Sequence, residues 1–124
     1  MLTQIKKEPA GFSYLAVLSL VTRRVISLDR REDEIKELIT YLVGEPVEDT
    51  SLHGKPCTFA RRRLFSQFHQ FCPECGEVAV LYESLERHLE RGQVREPDVR
   101  NYLLIWASDV RKALNLPEMI DFGS

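Results

Sequence analysis

No stretch of this chain is apolar over the roughly 20 residues that a membrane-spanning helix needs. The run from Phe12 to Val21 has about half that length, so no membrane partner is expected. Lys6 and Lys7 precede this run as they would in a signal peptide. Glu8 and Pro9 interrupt the approach, Arg23 and Arg24 follow, and no small-residue cleavage site appears, so the run reads as mature chain. Cysteine is scarce. The odd count of three (Cys57, Cys72 and Cys75) argues against a secreted disulfide framework and for a reducing, cytoplasmic setting. Neither sign of charge dominates: 17 Lys and Arg stand against 19 Asp and Glu, a formal net charge of -2. The whole-molecule field therefore gives no general attraction to nucleic acid or to an anionic membrane. A glycine-rich phosphate loop, a nucleophile elbow and a paired-histidine zinc motif are all missing. So are internal repeats and low-complexity tracts. His88 lies near an apolar stripe beside Leu85 and Leu89 and reads as an edge histidine rather than a general base.

What is present is helical periodicity. A chain of 124 residues, 44% of them hydrophobic, holds one domain and can bury a core without staples. Ser13 is placed to cap a helix reaching about Ile26, with Leu15, Leu18, Thr22, Val25 and Ile26 on one face. The Val, Ile, Thr, Tyr and Phe content of residues 12–26 also suits a strand. Asp29 and Glu32 have capping-box spacing ahead of a stripe formed by Ile35, Leu38, Ile39 and Leu42, and Gly44 closes it. A third helix starts at Pro56 and Thr58 and carries Ala60, Leu64, Phe65, Phe68 and Phe71. A fourth follows Pro73, with Cys75, Val78, Leu81, Tyr82, Leu85 and Leu89 in one stripe and Gly92 as its stop. Pro97 opens a fifth, whose apolar face is Val99, Tyr102, Leu103, Trp106, Val110, Ala113 and Leu114.

This pattern predicts an all-α fold, a compact bundle of about five helices in a single domain over residues 1–124. Residues 1–11 read as a loose lead-in and 118–124 as a loose tail. Leu38, Leu42, Leu64, Phe68, Leu81, Leu85, Leu103, Trp106 and Val110 are the expected core.

Three constellations bear on function. The first is Cys72-Pro73-Glu74-Cys75-Gly76. Two thiolates two residues apart suit zinc, and His53 and Cys57 upstream supply a second pair, with His69 a rival for one position. A continuous helix of about four turns between Cys57 and Cys72 would hold the pairs apart, roughly 20 Å of rise. Cys75 also fits its own helix's apolar stripe, as a buried free cysteine does. Zinc is therefore the one candidate cofactor of a chain otherwise expected to have none.

The second is charge segregation. No acidic residue lies between Ser51 and Pro73, where Lys55, Arg61, Arg62 and Arg63 interleave with Phe59, Phe65, Phe68 and Phe71. Such a helix can bind phosphate and stack bases, with Arg61 and Arg62 outward and Arg63 at the edge. Against this, residues 29–50 hold eight acidic side chains and three basic ones. The two stretches also read as complementary surfaces within the fold or across a dimer. The third is Leu104, which falls on the arc of Asn101, Ser108 and Arg111. It is either covered by the chain or offered to a partner.

Together these features suggest a non-enzymatic binding module acting through another protein or a second copy of itself. A nucleic-acid-binding regulator built on Lys55, Arg61, Arg62 and Arg63 is one alternative, and a zinc-stabilised interaction domain another.

Overall fold

The most apolar segment of the chain is the one that the rest surrounds. In the computed structural model, which describes residues 10–27 and 32–122, helix α1 runs from Tyr14 to Thr22. Val17, Leu18, Leu20 and Val21 have no solvent contact, and neither does Ser19. The expected one-sided stripe is thus a helix buried on nearly every side. Ser13 caps it as its sequence position implied, accepting from the Ala16 N–H at 3.2 Å. The helix stops four residues earlier than expected. Arg23 takes the left-handed conformation (φ 56°), and the chain folds back so that the Ile26 N–H reaches Ser19 Oγ at 3.0 Å. Val25, expected on the buried face, is left outside.

Around α1 stand α2 (Glu32–Val43), α3 (Lys55–Gln67), α4 (Ala79–Glu90) and α5 (Val99–Ala113), giving five α-helices among the described residues. Helices α2, α3 and α5 pack directly on α1, and α2 also lies along α3. Helix α2 buries Ile35, Leu38, Ile39 and Leu42, the stripe read from sequence. It ends at Gly44, whose φ of 90° only glycine adopts without strain. Asp29 of the predicted capping box lies outside the described residues. Helix α5 turns Leu103, Trp106, Ala107 and Val110 inward, and Trp106 Nε1 donates to the Leu81 carbonyl at 2.9 Å. Ala113, placed on that face from sequence, is exposed. Among the expected core residues Phe68 and Leu81 are half-buried, and the other seven are buried.

Three expectations are corrected. Helix α3 does not continue to Phe71: it ends at Gln67, Phe68 leaves helical geometry (φ -128°, ψ 82°), and a 3₁₀ turn spans His69–Phe71. Helix α4 does not begin at Cys75, which is exposed ahead of it. The supposedly loose ends are also ordered from Ala10 and up to Phe122. Strand β1 (Ala10–Ser13) pairs antiparallel with β2 (Met119–Phe122), with Phe12 opposite Ile120. Burial alternates along β2, Ile120 and Phe122 in, Met119 and Asp121 out, as a half-buried strand requires. The inner face stacks Phe12, Phe122, Tyr41 and Phe68 with ring centroids 5.1 to 6.0 Å apart. Within the described residues no helix is long and apolar enough to cross a membrane.

Trp106 is buried in the core and its N–H ties α5 to Leu81 of α4. Trp106→Ala is expected to cost about 3–5 kcal/mol of stability in urea denaturation. A change below about 1 kcal/mol, the range of surface substitutions and small repackings, would show that the indole is not a core element.

Candidate functional site

The basic residues of α3 do not share one role. Arg61 faces inward: its Nε donates to the Leu20 carbonyl at 2.9 Å and its Nη2 to the Val21 carbonyl at 3.0 Å. These are orphan acceptors in the last turn of α1, and a guanidinium satisfies both at once. The side chain is half-buried over the Phe65 ring, 5.0 Å from its centroid. Burial, and then the neighbouring Arg23, push its pKa down from the usual arginine value. The expectation that Arg61 faces solvent is therefore corrected. Lys55, Arg62 and Arg63 are exposed, and Arg63 lies over the Phe59 ring at 4.9 Å instead of at the helix edge. Of the four interleaved phenylalanines only Phe59 is exposed. Phe71 is fully buried, and Phe65 and Phe68 pack against the core.

The cysteines also rearrange. Cys57 is fully buried on the inner face of α3, and burial raises its thiol pKa. His53 is exposed before α3 begins. From Cys57 to Gln67 the helix rises about 15 Å, and the set His53, Cys57, Cys72, Cys75 is not assembled. As the side chains stand, no described group of three or more His, Cys, Asp and Glu is arranged around a common ion position.

The early end of α3 instead carries His69 back over the Cys72–Cys75 turn. His69 Nε2 lies 3.2 Å from Cys75 Sγ, and Cys75 Sγ lies 3.3 Å from Cys72 Sγ. The turn is held by its backbone, with Gly76 N–H to the Cys72 carbonyl at 2.8 Å and Val78 N–H to the Gln70 carbonyl at 3.0 Å. Cys72 is extended (φ -66°, ψ 119°), the conformation that a following proline imposes. Gly76 is required by space. A Cβ there would stand 2.3, 2.7 and 2.8 Å from the carbonyl oxygens of His69, Gln70 and Cys72. The thiols differ. The Glu74 backbone N–H, the Cys75 thiol and the Cys75 N–H all donate to Cys72 Sγ and lower its pKa, whereas donating to Cys72 raises that of Cys75. The expectation that Cys75 is a buried free thiol in an apolar stripe is overturned. The imidazole and both sulfurs lie in one surface cluster, with Cys75 Sγ next to each of the other two donor atoms.

The third candidate resolves differently. Leu104 is half-buried and packs against the core. Its neighbour Ile105, not singled out by periodicity, is 63% exposed. At 100° per residue Ile105 sits in the middle of the polar arc of Asp98, Asn101, Asp109 and Lys112, and that mismatch was the available signal. It borders an open cleft of about 630 Å³ between the end of α4 and the start of α5, whose lining includes His88, Val94, Arg95 and Tyr102. His88 Nδ1 lies 2.9 Å from the Tyr102 hydroxyl, so this histidine is engaged with a neighbouring helix. The chain matches no family model, no curated protein and no solved structure.

Three substitutions test these assignments. Arg61→Ala strands the Leu20 and Val21 carbonyls and is expected to destabilise by about 1–3 kcal/mol, while Arg62→Ala stays within about 0.5 kcal/mol. Equal effects in chemical denaturation would remove the capping role. Gly76→Ala is expected to cost about 1–3 kcal/mol, because three carbonyls must move to admit one methyl. An unchanged melting temperature would mean that the turn is looser than its contacts imply.

Proposed function

We propose that this chain is a small, non-enzymatic helical binding module that works through protein–protein contact, with the α4–α5 edge as its working surface. The observation that carries the reading is Ile105: a large aliphatic side chain, 63% exposed, centred on an otherwise polar arc beside an open cleft. Burying such a side chain fully is worth about 1.5–3 kcal/mol. Tyr102 and Val94 extend the apolar floor, while Arg95 and Asp98 supply a polar rim, the usual layout of a contact patch.

A second reading keeps a specific observation in its favour. Lys55, Arg62, Arg63 and Phe59 remain exposed on α3, which supports reading them as a reduced phosphate-binding surface without Arg61. Its mark is affinity that falls steeply with salt, because each neutralised phosphate releases counterions.

Ile105→Glu separates the readings. In sedimentation over a wide concentration range, the wild-type chain is expected to self-associate, or in affinity enrichment to retain a defined partner, and the variant to lose that behaviour with its stability intact. A wild-type monomer at every concentration that enriches the same proteins as the variant contradicts the proposal. If the chain then binds a nucleic-acid duplex or single strand in a salt-dependent way that is lost in Arg62→Ala/Arg63→Ala, the second reading takes its place.

A further inference from the structure

We propose that His69, Cys72 and Cys75 bind one zinc ion, with the fourth coordination position open to solvent or to a donor from a partner. One imidazole and two thiolates form a donor set that zinc prefers, and they recur here at a spacing of two intervening residues. Two features of the fold converge on the same point.

The first is proximity. Cys75 Sγ lies within 3.3 Å of both other donor atoms. The edges of a zinc tetrahedron are about 3.8 Å between two sulfurs and about 3.6 Å between sulfur and nitrogen, from bond lengths of about 2.3 and 2.05 Å. The two edges that meet at Cys75 therefore need to open by only about half an ångström each to match a zinc tetrahedron, and closing the third, between His69 and Cys72, falls to rotation of the exposed His69 side chain. Cys75 and His69 are exposed, so their side chains have room to turn.

The second is that the backbone is already shaped. The turn is closed by hydrogen bonds from Gly76 to Cys72 and from Val78 to Gln70. Phe71, between His69 and Cys72, is fully buried and ties the turn to the core. Little chain entropy then remains to be lost when a ligand orders the loop.

The competing use of the same pair is a disulfide between Cys72 and Cys75, which would withdraw both sulfurs from a metal. The two uses are distinguishable in one experiment. The full chain is purified under reductant, stripped with a chelator, and titrated with Zn²⁺ against a chromogenic chelator, with stoichiometry checked by elemental analysis. One zinc per chain is expected. Cys72→Ser and Cys75→Ser abolish it, and His69→Ala weakens it by more than the roughly 10–100-fold typical of losing an outer-sphere partner. His53→Ala and Cys57→Ala leave it unchanged.

Because a variant can misfold, the wild-type chain supplies an independent readout. Bound zinc is expected to protect Cys72 and Cys75 from alkylation mapped by mass spectrometry, and chelator to expose them. Zinc binding indistinguishable between wild type and Cys75→Ser overturns the proposal, as does equal alkylation with and without zinc. A Cys72–Cys75 disulfide that persists in reductant overturns it too, and loss of zinc in His53→Ala or Cys57→Ala replaces this ligand set with another.

Discussion

A helix with no polar face cannot leave its end groups to water, and that constraint on α1 organises the rest of this molecule. Burying Val17, Leu18, Leu20 and Val21 completely supplies much of the hydrophobic driving force, but it also buries backbone that must be paired. At the N-terminal end Ser13 caps α1 while its own N–H and hydroxyl donate to the Glu34 carboxylate of α2 at 2.8 and 2.7 Å. At the other end Arg61 reaches from α3 to the Leu20 and Val21 carbonyls. Within the last turns, Ser19 and Thr22 bond back to the Leu15 and Leu18 carbonyls and also take the N–H groups of the returning chain. The two charged contacts tie α2 and α3 to opposite ends of the same buried rod.

This arrangement decides which charges remain for function. Arg61 belongs to the fold, which takes it out of the arginine run and leaves Lys55, Arg62 and Arg63 exposed on α3 with one exposed aromatic, Phe59. The sheet acts similarly at the far end of α3. Phe122 of β2 stacks against Phe68, and Phe68 against Phe71. The residue that terminates α3 is thus held by a strand more than fifty residues further along the chain. Ending the helix there turns His69 toward the cysteine pair. A surface cluster of donors is a consequence of core packing, reached without any local metal signature beyond the two cysteines.

The sequence carried the helices whose apolar spacing is local and well punctuated: α2 between its stripe and Gly44, α5 behind Pro97, and the Ser13 cap of α1. It misled where periodicity continued past the real boundary. Phe68 and Phe71 keep helical spacing with Ala60 and Leu64, yet an aromatic cluster outweighs that local preference. Cys75 keeps spacing with Val78 and Leu85, yet Pro73 and the crowding around Gly76 favour a turn. The strands were illegible because four residues of alternation say little until a partner is known, and the partner stands at the opposite end of the chain. For the candidate sites, the spacing of Cys72 and Cys75 was legible, but which side chain comes to lie beside them depended on where α3 stops. Likewise Ile105 stands out only once its arc is seen to face solvent.

Helix α1 is the fixed centre to which both the cap and the cluster refer, and native-state hydrogen exchange addresses that most directly. Amides of Leu18 to Thr22 are expected to exchange only through global unfolding, with the highest protection in the chain and a free energy equal to that from denaturant melts. Exchange of those amides through a lower-energy local opening, faster than the buried turns of α5, would contradict the picture of a helix locked at both ends by its neighbours.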